Sequence, residues 1–140
     1  MGMRDADAAN RIVIGQLGLN ATQYKNASMH HHLDWLEGQR TGRPWRLDEK
    51  DFVALGAWIA LIQNTRLTRA QASSIAAAIR TGLRREPLAS EWFISYDSDK
   101  GRWRIATSAP AEMAMITLNL VAIRDRIAKL RTQAEAMLEE

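Results

Sequence analysis

The most conspicuous chemical cluster in the chain is His30-His31-His32. Imidazoles ligate transition metals and transfer protons near neutral pH. Three in a row cannot converge on one metal. On a helix consecutive side chains diverge by about 100°, and on a strand only His30 and His32 share a face. The chain has no Cys, and no spaced Asp, Glu or His completes a ligand set around the run. We expect no metal and no other cofactor. A solvated or phosphate-adjacent histidine run accounts for these residues, with His30 and Asp34 forming an i, i+4 surface pair. Asp97-x-Asp99-x-Gly101 has the opening of a calcium-binding loop, but such a loop closes on a bidentate Glu, and Ser108 stands at that position. A hairpin turn explains the three residues. Gly15-Gln16-Leu17-Gly18 is too short to cradle a phosphate and lacks the Lys-Ser/Thr of a Walker motif. No nucleophile elbow or catalytic carboxylate pair stands out, so no enzymatic activity is expected.

The elements that would position these groups are bounded by composition. A length of 140 residues implies one domain, or a small domain with an appended helix. An apolar fraction of 46% argues against wholesale disorder. The absence of Cys excludes disulfides, thiolate zinc sites, iron–sulfur clusters and a cysteine nucleophile. No apolar run approaches the roughly 18 residues that span a bilayer, and the charged N-terminus lacks the apolar core of a signal peptide. A soluble cytoplasmic protein with no membrane partner is expected. Fifteen of the 19 basic residues are Arg, against 16 acids. A GC-rich coding sequence would give the same Arg and Ala bias without any partner. Position is more informative: residues 1–90 hold 12 basic and 8 acidic groups, and Gly38 to Leu47 holds Arg40, Arg43 and Arg46 with no acid. Such a loop is suited to rest on phosphates.

The periodicity predicts a mainly α fold with a small β-hairpin. Residues 1–11 read as a frayed start. Residues 12–90 read as a helical domain, beginning with short helices and tight turns around Gly15, Gly18 and Asn20. Asp48, with Asp51 three residues on, suits a helix N-terminus. Phe52, Leu55, Ile59 and Ile62 then give one apolar face. Thr68 caps a second helix lined by Ala72, Ile75, Ala76, Ile79 and Leu83, with Gly82 and Pro87 marking its end. Residues 91–108 read as a hairpin: Trp92, Ile94 and Tyr96 alternate, Trp103 and Ile105 alternate, and Gly101 takes the left-handed turn position. In 109–140, Met113, Ile116, Leu120, Ile123, Ile127, Leu130, Ala134 and Met137 are spaced 3, 4, 3, 4, 3, 4, 3. That is a coiled-coil seam on one long helix starting near Pro110. An apolar stripe needs a cover, and a second copy of the same helix, making a homodimer, is expected. Packing within the chain is the alternative.

One resemblance joins these pieces. Leu33-Asp34-Trp35-Leu36-Glu37-Gly38, the Arg-rich loop, and Trp45 through Leu55 (WRLDEKDFVAL) resemble the MerR-type winged helix-turn-helix regulators. In that family a DNA-contacting helix ends in an aromatic-Glu-Gly stretch, a basic wing follows, and an Arg-aromatic-Ser/Asp-Glu-x-Asp-Leu segment starts the next helix. Ile14-Gly15-Gln16-Leu17 is similar to the family's opening Ile-Gly-Glu-Leu, and Leu61 to Ile79 is similar to its helix–turn–helix beyond the wing. The resemblance covers about residues 12–82. The chain departs from the pattern in a longer interval from Ile14 to Glu37, in Asp34-Trp35 where the family has Arg-Tyr, and in its hairpin.

The resemblance implies a winged helix-turn-helix-like domain with a C-terminal dimerisation helix, acting as a transcriptional regulator on double-stranded DNA. A recognition helix over about 28–37 would enter the major groove, with Asn26, Ser28, His30 and His31 touching bases or phosphates. Lys25, Arg40, Arg43 and Arg46 would clamp phosphates. Trp35 and Trp45 read as core. The rival reading is a small adaptor, of the kind found in phages or mobile elements, that docks on a protein through the coiled coil or the Trp-rich hairpin. An enzyme or metal sensor using the His run comes third. Salt-dependent duplex binding, capture of a partner protein, and stoichiometric Zn²⁺ or Ni²⁺ in untagged protein separate the three.

Overall fold

In a computed structural model, residues 3–85, 91–97, 99–109 and 115–139 are described. The element order is α1 (Met3–Gln16), α2 (Ala21–Met29), α3 (Glu37–Arg40), α4 (Glu49–Asn64), α5 (Arg69–Arg85), β1 (Trp92–Asp97), β2 (Arg102–Ala106), β3 (Met115–Leu118) and α6 (Leu120–Leu138). The fold is mainly helical with a small antiparallel sheet and a C-terminal helix. No helix among the described residues is long and apolar enough to cross a membrane.

Helix α4 is the centre. The Asp48 carboxylate accepts from the Asp51 N–H at 2.8 Å, and Asp51 returns the bond to the Asp48 N–H at 3.3 Å. This reciprocal cap fixes the start that the two acids predict. Residues Asp51 through Ile59 are buried on every face, because α5 packs on one side and α6 on another. The expected single stripe is therefore an underestimate: Ala54, Ala57 and Trp58 bury as fully as Phe52 and Leu55. Helix α5 opens on Thr68, whose Oγ1 accepts from Gln71 N–H at 3.1 Å while Gln71 Oε1 accepts from Thr68 N–H at 2.9 Å. Ala72, Ile75, Ala76 and Ile79 are buried as their spacing predicts. The helix runs past Gly82, which was expected to end it. Gly82 instead makes room for the Trp92 ring, since a Cβ there would lie 2.7 Å from Trp92 Cη2.

One ion pair ties this layer together. Arg80 Nε on α5 donates to Asp51 Oδ1 on α4, and both side chains are buried. Arg80 Nη2 also lies 3.7 Å from Glu37 Oε2 at the start of α3. Burial pushes the Asp51 carboxyl above the usual carboxylate range, and Arg80 offsets only part of that shift.

The expected hairpin forms, with Ile94 opposite Ile105, Tyr96 opposite Trp103, and Gly101 at φ +63°. Asp97 Oδ1 accepts from the N–H groups of Asp99 and Lys100 at 3.1 and 3.2 Å, which accounts for the acids of the turn. The other edge of β1 carries β3, with Trp92 opposite Leu118 and Ile94 opposite Ile116. Here the structure corrects the long helix over 109–140. Ile116 belongs to a strand, and α6 starts only after Asn119, whose side chain accepts from Ala122 N–H at 2.9 Å. The β-branched pair Ile116-Thr117 pairs better beside β1 than in a helix. Met113, the first residue of the expected seam, lies outside the described residues, as do Pro87 and Pro110.

Most of the rest of the seam is covered by the chain itself. Leu120, Ile127 and Ala134 are buried, Ile123 and Leu130 are half-buried, and Met137 is exposed. Helices α1 and α4 supply the cover, so the stripe is no argument for a second copy. The frayed start is corrected by the same contact. The chain is helical from Met3, and Ala9, Asn10, Val13 and Ile14 are buried. Ala9 and Val13, like Asn10 and Ile14, stand at i, i+4, so a docked stripe begins inside the polar segment.

Candidate nucleic-acid interface

Helix α2 is set by its cap. The Asn20 side chain accepts from Gln23 N–H at 2.8 Å, and Gln23 Oε1 accepts from Asn20 N–H at 2.9 Å. Leu17 to Asn20 form the tight turn after α1. Tyr24 and Ala27 face inward and are buried. Thr22, Lys25, Asn26 and Met29 are exposed at i, i+3, i+4 and i+7, one stripe along the helix. Met29 is 65% exposed, unusual for a large apolar side chain.

A recognition helix over 28–37 is not what forms. Residues 30–35 are turns, and His31 has φ +61°. A helix cannot continue through that left-handed residue. His30 caps α2, its N–H donating to Asn26 O at 3.0 Å. His31 Nδ1, rather than His30, contacts Asp34, at 3.1 Å from Oδ2. The His30 and His32 ring centroids are 6.1 Å apart. Partial burial, with the charges of His30, Arg69 and His31, holds the His32 imidazole below the ordinary histidine range. Trp35 is buried, its Nε1 donating to His32 O at 2.8 Å.

The basic loop is stitched to α2 rather than left to wave. Tyr24 Oη donates to Pro44 O, and Gln39 Nε2 donates to Tyr24 Oη at 3.1 Å. Ser28 is half-buried, and its Oγ donates to Gln39 Oε1, which ties it to the loop rather than leaving it free to reach outward. Trp45 stacks on Tyr24 with centroids 4.5 Å apart and planes at 27°. From α1, the Arg11 guanidinium sits 4.6 Å from the Trp45 ring centroid. Asn10 Nδ2 donates to Trp45 O at 2.9 Å, while Arg131 Nη2 of α6 donates to Asn10 Oδ1 at 3.2 Å. Within the loop, Arg43 N–H donates to Gly38 O at 2.8 Å and Arg46 N–H to Arg43 O at 3.0 Å. Burial of Tyr24 pushes its phenol up to about 12.

Arg43 and Arg46 are held exposed by this frame, and Arg40 is exposed with its Nε donating to Asp34 O at 3.1 Å. Lys25 and Asn26 are exposed on α2. Arg43 and Arg46 also line a cleft of about 670 Å³ together with Glu37, Asp48 and Asp51. Of the expected contact residues, Lys25, Asn26, His30, His31, Arg40, Arg43 and Arg46 are solvent-facing, and Ser28 is not. Thr22 and Met29 were missed, although Asn20-x-x-Gln23 carries a capping-box spacing that marks the start of their helix.

No family model, curated protein or solved structure matches the chain.

Proposed function

We propose that the chain binds double-stranded DNA in a sequence-dependent manner, as a transcriptional regulator would. In this reading α2 enters a major groove and the 38–46 loop rests on flanking phosphates. What supports the reading is that the loop carrying Arg43 and Arg46 is tied to the inward side of α2, through Tyr24, Trp45 and Gln39, while α2 keeps an exposed polar stripe. Preorganised cations give phosphate contacts without the entropy of ordering a free loop. On α2, Asn26 is suited to pair with adenine and Lys25 with guanine, while Thr22 and Met29 offer methyl contacts to thymine. The order helix–turn–helix, basic loop, helix–turn–helix is also the order implied by the MerR resemblance. The reading uses α2 in place of 28–37, and it does not draw on α6 for dimerisation.

The test is fluorescence anisotropy with a mixed-sequence duplex across salt concentration. Each phosphate neutralised contributes about 0.9 to the log–log slope. Replacing Arg43 and Arg46 by Ala is expected to lower affinity for all sequences and to flatten the slope by about 2. Asn26→Ala is expected to alter base preference and leave the slope unchanged. Salt-independent binding in the parent chain, or an unchanged slope in the double variant, sinks the reading.

A further inference from the structure

His31 is the only non-glycine residue at positive φ among the described residues, at +61°. That conformation is uncommon for a residue with a Cβ, and it collects at functional sites. Side chains two apart on a helix point to nearly opposite sides. With His31 left-handed, the His30 and His32 ring centroids instead stand 6.1 Å apart. His31 itself is committed to Asp34, its Nδ1 lying 3.1 Å from Oδ2. The pair is held against the start of α5. Trp35 Nε1 donates to His32 O at 2.8 Å, and Ser73 Oγ lies within hydrogen-bond distance of both His32 O and Arg69 O. Ser73 Oγ in turn accepts from Trp58 Nε1 at 3.0 Å, so one anchored hydroxyl pins the main chains of His32 and Arg69 together. His30 stands four residues after Asn26 and continues the exposed stripe of α2. Among the described residues the His30 and His32 rings make no hydrogen bond, and the Arg69 guanidinium makes no ion pair. Burial first, then the charges of His30, Arg69 and His31, disfavour the charged form of His32. The acid of the run, Asp34, is engaged by His31, and its carbonyl by Arg40 Nε at 3.1 Å.

We propose that His30, His32 and Arg69 form a phosphate site, filled by the backbone of the bound duplex, and that the two imidazoles take up protons as it fills. This rests on the DNA-binding reading, in which His30 follows α2 to the edge of the groove. A phosphodiester supplies the negative charge that the cluster lacks. Its oxygens accept from two imidazole N–H groups and from the guanidinium fork. A phosphate beside the rings favours their charged forms, so protons are bound more tightly in the complex than in the chain alone. By linkage, binding tightens as pH falls through the histidine range, and each proton taken up adds up to one unit to the slope of log affinity against pH. Paired imidazoles also suit a metal ion, but no group of three potential ligands gathers among the described residues. Arg69 and His32 lie outside the contact set expected from the sequence, because only the left-handed His31 and the Ser73 bridge bring them to His30.

The experiment measures duplex affinity of the full chain by anisotropy from about pH 5.5 to about pH 8, at fixed ionic strength in phosphate-free buffer. The parent chain is expected to bind about tenfold or more tightly at the acid end. The double variant His30→Gln, His32→Gln is expected to bind equally at every pH, with unchanged circular dichroism, and any carboxylate contribution would persist in it. Arg69→Ala is expected to lower the salt slope by about 0.9. Without DNA, the same variant should raise the His32 titration midpoint read by NMR, since one of the charges acting on that ring is gone. In the parent chain the duplex is expected to raise that midpoint by about one unit, and inorganic phosphate at equal phosphate concentration to raise it far less. Salt-dependent duplex binding that is the same at every pH, or that keeps its pH dependence in the double histidine variant, overturns the site and leaves the DNA reading standing. Absence of salt-dependent binding overturns both. Inorganic phosphate that moves the midpoint as far as the duplex does assigns the site to a free anion and overturns the proposal.

Discussion

Gly38 is the position where one added carbon reports on the whole basic loop. Its backbone has no positive φ, so the demand is for space and not for conformation. A Cβ on Gly38 would lie 2.3 Å from the Arg43 carbonyl oxygen and 2.8 Å from that of Arg46. Ordinary contact begins near 3.4 Å, so the nearer carbonyl has to retreat by about 1 Å. Neither is the end of a flexible side chain. The same stretch is held by Arg43 N–H on Gly38 O at 2.8 Å, Asn10 on Trp45 O at 2.9 Å, and Tyr24 on Pro44 O. A retreat of that size takes two or three of these bonds out of range. At about 1 kcal/mol each, less the gain from replacing a helical Gly by Ala, Gly38→Ala costs about 2 kcal/mol. Denaturant unfolding reads the cost as a lower midpoint, and duplex anisotropy reads the displaced Arg43 and Arg46 as weaker binding. Gly15→Ala is the control: it is exposed, helical and has nothing within 4 Å of an added Cβ. It should stabilise by about 0.5–1 kcal/mol with DNA binding intact. A Gly38→Ala chain as stable as the parent would refute the account of how the loop is held.

Two further perturbations probe buried charge. With its phenol raised from 10.0 to about 12, Tyr24 binds its proton more tightly in the folded state. The linked stability, about 3 kcal/mol, is complete below pH 10 and lost as pH rises through 12. Tyr24→Phe should cost about 1 kcal/mol at neutral pH through the lost Pro44 and Gln39 bonds, yet show no Tyr24-linked loss in alkali; unfolding curves collected across that range check both. Arg80→Met strands the Asp51 carboxylate and should cost about 3 kcal/mol, most of it recovered in Arg80→Met, Asp51→Asn. Asp51 has a folded pKa above its unfolded value of 3.8, so its proton-linked stability is present below that value and lost as pH rises through the folded pKa. The Arg80→Met deficit should therefore shrink as pH falls toward 3.8, and a deficit that grew instead would contradict the assignment.

Local signals in the chain were readable where the structure obeys local rules. The Asp48 and Thr68 starts, the apolar face of α5, and the hairpin with Gly101 rest on neighbours a few residues apart. The errors arise where distant contacts decide. The 3–4 spacing at Met113 and Ile116 extended a seam that the strand β3 interrupts, and only β1 supplies the reason. Residues 3–11 look unsupported until α6 is placed against them. For the candidate interface, Arg40, Arg43 and Arg46 stood out because they form a run without acids. Tyr24, Gln39 and Asn10 did not, because their partners lie 20, 15 and 35 residues away. The helix boundary at Met29 was missed because His31 takes a left-handed conformation that its residue type does not announce.

The hydrogen bond from Arg131 to Asn10 spans 121 residues. Asn10 in turn holds the Trp45 carbonyl, so the posture of the basic loop depends on the helix made last among the described elements. On a ribosome, α1 and α2 emerge early, but α1 lacks its contacts with α6 until that helix has been synthesised. A chain with such distant pairings assembles late and all at once, in contrast to one whose first elements are complete when they appear. Ribosome-bound chains lacking α6 should then be more open to protease at α1 than chains that carry it.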